Sequence, residues 1–245
     1  MRNGIELKLN AFTILLGLNI VMFVISMALG SFNGSGLYTL LLLGAENNEL
    51  VLSGQVWRMI TSAFLHAGVI HIFANMYYFF QLGRFIEEHF GSKKLFAVYI
   101  LTAITASALS VLAGEVGIQP AAISVGASGA VFGLLGLVFV SSWRSERNPF
   151  HVGLPLDYRQ LIPYLIFSLI LGVVTPGINN AAHIGGFIGG AILGFILRPE
   201  YGYSSLKKDL IGDILFYVSL GAFVLSFGAL IIFNFDSLSL WSFSF

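Results

Sequence analysis

The chain has 245 residues, 57% of them hydrophobic and only 10% charged, with zero formal net charge and a mean hydropathy of +0.88. A soluble globule averages about 25% charged residues, so this composition cannot clothe a water-facing surface. The balanced charge gives nucleic acid nothing to bind, and the absence of cysteine excludes disulfides and thiolate ligands.

A spanning helix needs roughly 20 apolar residues, or somewhat fewer where the protein thins the bilayer. The first apolar stretch, Ala11–Leu29, is long enough to span and lacks a small-residue cleavage motif, so it reads as a membrane helix and not as a cleavable signal peptide. Ser31–Phe64 follows, the longest connection. It is too polar at Glu46-Asn47-Asn48-Glu49 to span yet rich in Leu and Trp, which predicts an interfacial, partly helical loop. Six more spans are predicted at Ile70–Ile86, Leu95–Ala113, Ala127–Trp143, Leu161–Thr175, Ala182–Leu197 and Ile211–Phe233, separated by Gly, Pro, Asn and charged residues. The expected fold is an all-α membrane protein. Residues 1–200 form a six-helix transmembrane bundle, and residues 201–245 add a basic linker, Tyr201–Lys208, and a seventh helix.

Orientation follows from the excess of basic residues in cytoplasmic loops. With the N-terminus cytoplasmic, the inner segments hold Arg2, Lys8, Arg84, Lys93, Lys94, Arg144, Arg147, Arg159, Arg198, Lys207 and Lys208, and the outer side holds only Arg58. So lopsided a division supports both the topology and the number of spans. His89 and His151 then fall on the cytoplasmic side and need no function.

Polar side chains inside spanning helices are expensive and need a reason. His71 and Asn75 lie in the second span, Ser128 heads the fourth and His183 heads the sixth, with His66 just before the second. All three helices begin on the outer side in this topology. His71 and Asn75 are four residues apart and share one helix face. One polar pocket opening outward is the economical expectation.

Ser128 sits in Gly126-Ala127-Ser128-Gly129, where flanking glycines allow close backbone approach and a tight entry into a helix. A helix N-terminus also offers unpaired N–H groups to a developing oxyanion. This is not the G-x-S-x-G elbow of soluble hydrolases, because Ala130 takes the last place. His183 is followed by Gly186, Gly190 and Gly194, a stripe that can pack on the Gly129 and Gly133 pair of the fourth span. That contact would bring Ser128 and His183 together, as base activation of a serine requires. No acidic residue lies between Arg159 and Arg198, so a Ser-His dyad is expected in place of a triad. Phe132, one turn after Ser128, is a candidate to stack on the His183 ring, and His71 and Asn75 to donate to an oxyanion. Taken singly, Ser128 reads as a small residue at a helix crossing and His183 as a satisfied core histidine. The constellation in register outweighs both.

These residues resemble the rhomboid family of intramembrane serine proteases over roughly Gly54–Leu197. Trp57-Arg58 is similar to a tryptophan–arginine motif in the first outer loop. His66, His71 and Asn75 match an H-x-x-x-x-H-x-x-x-N pattern, Gly126–Gly129 a G-x-S-G motif, and Ala182-His183 with Gly186 and Gly190 an A-H-x-x-G-x-x-x-G motif. The resemblance implies Ser128 as nucleophile, His183 as general base and acid, and His71, Asn75 and the Ser128 N–H as the oxyanion hole. Trp57, Arg58, His66, Gly126, Gly129, Phe132, Gly186 and Gly190 are the supporting residues it implies, and Glu87 matches a glutamate that helps hold the first loop. Many members have Tyr where Phe132 stands. The resemblance also implies cleavage of peptide bonds in or near a transmembrane segment, with single-span or other membrane proteins as substrates entering from the bilayer between the second and fifth spans. It implies no metal or organic cofactor, and a multi-pass place in the cell membrane with the site open to the outer side. Two other readings compete: a helix-binding chaperone of the same fold, and a small transporter, against which the apolar Phe187–Leu197 stretch argues.

Overall fold

A computed structural model describes residues 10–31, 36–118, 123–147, 154–200 and 209–241, the last of these helical to Trp241. The Tyr201–Lys208 linker, Arg2, Lys8, His151, Lys207 and Lys208 lie outside the described residues. Ten α-helices are described: α1 (Ala11–Ser26), α2 (Gly36–Leu42), α3 (Asn48–Leu52), α4 (Arg58–Thr61), α5 (Val69–Phe90), α6 (Ser92–Glu115), α7 (Ser128–Arg147), α8 (Leu161–Val174), α9 (Asn180–Ile196) and α10 (Leu210–Trp241). Among the described residues there is no strand, only one isolated bridge between Glu46 and Ser124. The protein is an all-α membrane bundle.

Helices stand at all seven predicted spans, and the first connection holds the short helices α2 to α4, as its mixed composition predicts. Four are long and apolar enough to cross a membrane alone: Ala11–Gly30, Ser92–Glu115, Ser128–Arg147 and Leu210–Asn234. Arg58–Phe64 with Val69–Phe90 makes a fifth only as a pair bent by 96°. With 14 and 17 residues, α8 and α9 are shorter, about 21 and 26 Å at 1.5 Å per residue.

Local chemistry sets the helix ends. Asn10 caps α1, its Oδ1 accepting from the Thr13 N–H at 3.0 Å while its own N–H donates to Thr13 Oγ1 at 3.1 Å. Asn179 caps α9 by accepting the Ala182 N–H at 2.9 Å. At Gly91, with φ of +84°, the chain turns from α5 into α6, a conformation that favours glycine.

The centre is a three-helix contact of α6, α7 and α9 made through small residues. A Cβ at Gly186 would collide with the Gly129 carbonyl, one at Gly190 with the Gly133 carbonyl, and one at Gly136 with the Phe187 carbonyl. The α7 and α9 backbones therefore touch, as the glycine stripes predict. Gly133 also lies against Thr102 of α6. Close backbone approach replaces the hydrophobic driving force that lipid removes. Toward the C-terminal ends of both helices, the Arg144 guanidinium donates to the Gly194 and Phe195 carbonyls at 2.7 and 2.8 Å, tying them again. On another side of α6 lies α10, with Phe216 and Phe223 against Phe96, and Phe223 and Phe227 against Phe64.

Candidate active site

Ser128 is the first residue of α7, and His183 lies in the first turn of α9, so the glycine seam places both at the same end of the bundle. The Ser128 hydroxyl oxygen and His183 Nε2 are 3.0 Å apart. That is the reach a general base needs. The His183 ring lies flat on Phe132, with centroids 4.2 Å apart and planes 7° apart. His183 and Phe132 are both buried, while Ser128 is partly open. Among the described residues, His183 Nδ1 has no hydrogen-bond partner. The ring is thus oriented by packing and by its helix, with no carboxylate behind it.

His71 and Asn75, one turn apart on α5, converge on the chain just before Ser128. The Ala67 N–H donates to His71 Nδ1 at 3.3 Å. An imidazole that accepts at Nδ1 carries its proton on Nε2 when neutral, so Nε2 is the donor. It faces Gly126, where a Cβ would come 2.8 Å from Nε2 and 3.8 Å from Asn75 Nδ2. Gly126 has φ of +128°, and its N–H donates to the Ser62 carbonyl at 3.0 Å. Only glycine suits that backbone while leaving the space in front of both side chains open. The Asn75 amide gives one hydrogen to the His71 carbonyl at 2.9 Å and has a second to offer. His66 is wholly buried, its ring edge-on to His71 with centroids 5.2 Å apart.

A model of the rhomboid domain matches residues 53–200, more than half of the chain. The chain is 36% identical to RHOMBOID-like protein 5 of Arabidopsis thaliana over 179 residues, 71% of this chain and 55% of that protein. It is 37% identical to RHOMBOID-like protein 1 of the same plant, over 72% of this chain and 44% of that one. To rhomboid protease GluP of Bacillus subtilis it is 35% identical, over 71% of this chain and 33% of GluP. The chain belongs to the rhomboid family. The matched stretch is about half or less of each of these relatives' own length. Membership makes it a multi-pass membrane protein of a fold that includes intramembrane serine proteases.

Within this rhomboid fold the remaining motif residues divide by neighbourhood. Arg58 is buried and donates from Nη1 to the Leu41 and Ala45 carbonyls, at 2.7 and 2.8 Å, and from Nε to Gln55 at 2.8 Å. It staples the loop that joins α2 to α4. Trp57 packs against Phe233 of α10, with ring centroids 4.5 Å apart and planes tilted by 31°. Gly129, Gly186 and Gly190 are the seam. Glu87 departs from expectation. Its carboxylate accepts from the Phe12 N–H at 3.1 Å and the Ser92 hydroxyl at 2.7 Å, at the C-terminal end of α5. It joins the starts of α1 and α6 and, among the described residues, does not hold the first loop. Twelve residues of helix separate it from Asn75, about 18 Å along the axis.

The buried carboxylate of the first loop is Glu46, which the sequence showed only as part of a stretch too polar to span. It is buried, accepts from the Ser110 hydroxyl of α6, and pairs its backbone with Ser124, four residues before Ser128. Its neighbours in sequence gave no signal of burial, because hydrophilic loop residues and a buried acid look alike in one sequence. The same holds for Asn19, buried in α1, which donates to the Tyr99 hydroxyl at 3.0 Å while Tyr99 donates to the Ala63 carbonyl at 3.0 Å.

Proposed function

We propose that this rhomboid protein is a serine endopeptidase that cleaves peptide bonds in or near the transmembrane segments of other membrane proteins, by a Ser128–His183 dyad. The observation that carries the reading is the 3.0 Å contact between the Ser128 hydroxyl and His183 Nε2, with the ring held against Phe132. Nε2 accepts the hydroxyl proton as Ser128 attacks the scissile carbonyl. The neutral base carries its other proton on Nδ1, which burial keeps away from competing acceptors. Oxyanion charge is met by His71 Nε2–H, the Asn75 amide and the N–H groups at the start of α7. The imidazolium then protonates the leaving amine, and a water deprotonated by the same nitrogen hydrolyses the acyl ester.

The supporting parts have roles in the same reading. Arg58 and Trp57 hold the first loop, His66 backs His71, and Gly126 keeps the oxyanion space clear. Residues 1–200 form the catalytic core and residues 201–245 an added helix. A substrate helix enters from lipid between α5 and α8, which touch through the Tyr78 and Tyr164 rings at 4.8 Å. The distribution of basic residues supports a cytoplasmic N-terminus and a site that opens outward to water, and on this reading the protein resides in the cell membrane.

The test is the full chain reconstituted in liposomes with a panel of single-span substrates and a fluorophosphonate probe. Wild type labels and cleaves; Ser128→Ala does neither, with a rate loss of about 10³-fold or more. Cleavage by Ser128→Ala at the wild-type rate overturns the assignment. A folded wild type that neither labels nor cleaves indicates a helix-binding protein instead.

A further inference from the structure

Glu46 is the one acid of the first loop that turns inward, and what it touches leads to the base. The Ser110 hydroxyl donates to Glu46 Oε1 and accepts from the Asn179 amide at 2.6 Å. The Asn179 amide also donates to the Ser124 hydroxyl at 3.2 Å. The other end of the same side chain, Oδ1, accepts the Ala182 N–H and so caps α9, and the Asn179 carbonyl accepts the His183 N–H at 3.2 Å. A buried carboxylate is thus three hydrogen bonds from the turn that carries His183. Meanwhile the Glu46 backbone exchanges two hydrogen bonds of 3.0 Å with Ser124, on the segment leading to Ser128.

We propose that Glu46 is a positioning residue for the dyad: ionised, it fixes the Ser110 hydroxyl so that Asn179 holds the first turn of α9, and with it His183, in the productive register. The inference rests on the proteolytic reading above. A carboxylate can only accept, so it forces Ser110 to donate to it and leaves the Ser110 oxygen free to accept from Asn179. A neutral carboxyl can instead donate to that oxygen and compete with the Asn179 amide. The two protonation states therefore differ in how firmly the α9 cap is held.

Glu46 lies outside the spanning helices, and burial pushes its carboxyl up to about 7 against the opposing hydrogen bonds from Ser107 and Ser110. The charged and titratable groups around it are few. Arg58 donates to the neighbouring Ala45 carbonyl, Glu115 accepts from Asn48 at 3.2 Å, Glu49 opens α3, and His183 lies beyond Asn179. Among the described residues no cation forms an ion pair with Glu46. The sign for activity and for stability is opposite. A carboxyl raised in the folded state binds its proton more tightly than in the unfolded chain, so its contribution to stability is full below about 4.5 and is lost as pH rises through about 7. Activity through the Asn179 cap rises over the upper part of that window.

The experiment measures kcat, KM and melting temperature between pH 6 and 8.5 for wild type, Glu46→Gln and Ser110→Ala in liposomes. Glu46→Gln is expected to match wild type near pH 6 and to fall about tenfold in kcat at pH 8, with KM unchanged, as for a small misplacement of a reacting group. Its melting temperature exceeds that of wild type at pH 8 and equals it near pH 6. Ser110→Ala loses the same kcat at pH 8 without the gain in melting temperature. A Glu46→Gln profile that parallels wild type in kcat across the range overturns the role of Glu46 while leaving the protease reading intact. Wild type that neither cleaves nor labels with fluorophosphonate fails the protease reading, and the positioning role falls with it.

Discussion

The two sides of this bundle are built differently. Where α7 meets α9, glycines let the backbones touch, and nearly every residue of α7 down to Ser142 is buried. Where α8 meets its neighbours, only Gly172 is buried along fourteen residues, and Ile166, Phe167, Ile170, Val173 and Val174 face outward. α5 presents Ile70, Phe73 and Tyr77 in the same way. In a bilayer such side chains are solvated by lipid and cost nothing. The proposed dyad therefore stands on the tightly packed side, and the side with exposed apolar residues is the one the proposed function opens to a substrate helix. Catalysis needs reacting atoms held to a fraction of an ångström, whereas admission of a helix needs a contact that can open.

Substitutions along the two sides should separate accordingly. The largest effect is expected on the seam itself: Gly190→Val drives a side chain into the Gly133 carbonyl and should cost about 3 kcal/mol of stability, together with all activity. Denaturation in detergent micelles reads it, and a variant as stable as wild type breaks the picture of a backbone contact. Next comes Gly126→Ala. It strains a backbone at φ +128° and fills the space before His71 Nε2, so kcat should drop about 10²-fold and stability by about 1–2 kcal/mol. A loss of stability without that loss of kcat would make Gly126 a purely structural glycine. Phe132→Ala frees the His183 ring and should lower kcat about tenfold, while Phe132→Tyr keeps the stack and stays near wild type. Equal activity of the alanine and tyrosine variants would show that α9 alone orients the base. The smallest effect belongs to the open side. Tyr164→Ala removes one ring contact and should change stability by about 1 kcal/mol or less, with cleavage retained or faster. A large loss of stability there would erase the contrast between the two sides.

How much of the site was legible depended on whether spacing along one helix could carry it. His71 and Asn75 are four apart, Phe132 is four after Ser128, and the seam glycines recur every four residues, so a 3.6-residue period already shows which share a face. Glu87 matched a motif by spacing as well, yet its partners, the Phe12 N–H and Ser92, lie on other elements, which no count along one helix could find. Glu46, Ser110 and Asn179 were illegible for the same reason: three elements far apart in sequence supply one hydrogen-bond chain.

By itself the sequence indicated the lipid solvent and the seven apolar segments that stand as helices, and it singled out Ser128 and His183 as the pair to look for. Those follow from composition and local period, because transfer of side chains into lipid and the pitch of a helix are local physics. Tertiary structure alone decided that Ser128 and His183 stand 3.0 Å apart with Phe132 beneath the ring, that Glu87 braces α1, and that Glu46 is buried beside the α9 cap. Contacts between distant segments depend on how helices cross, and crossing is set by the sum of all the packed surfaces and by no single stretch of chain.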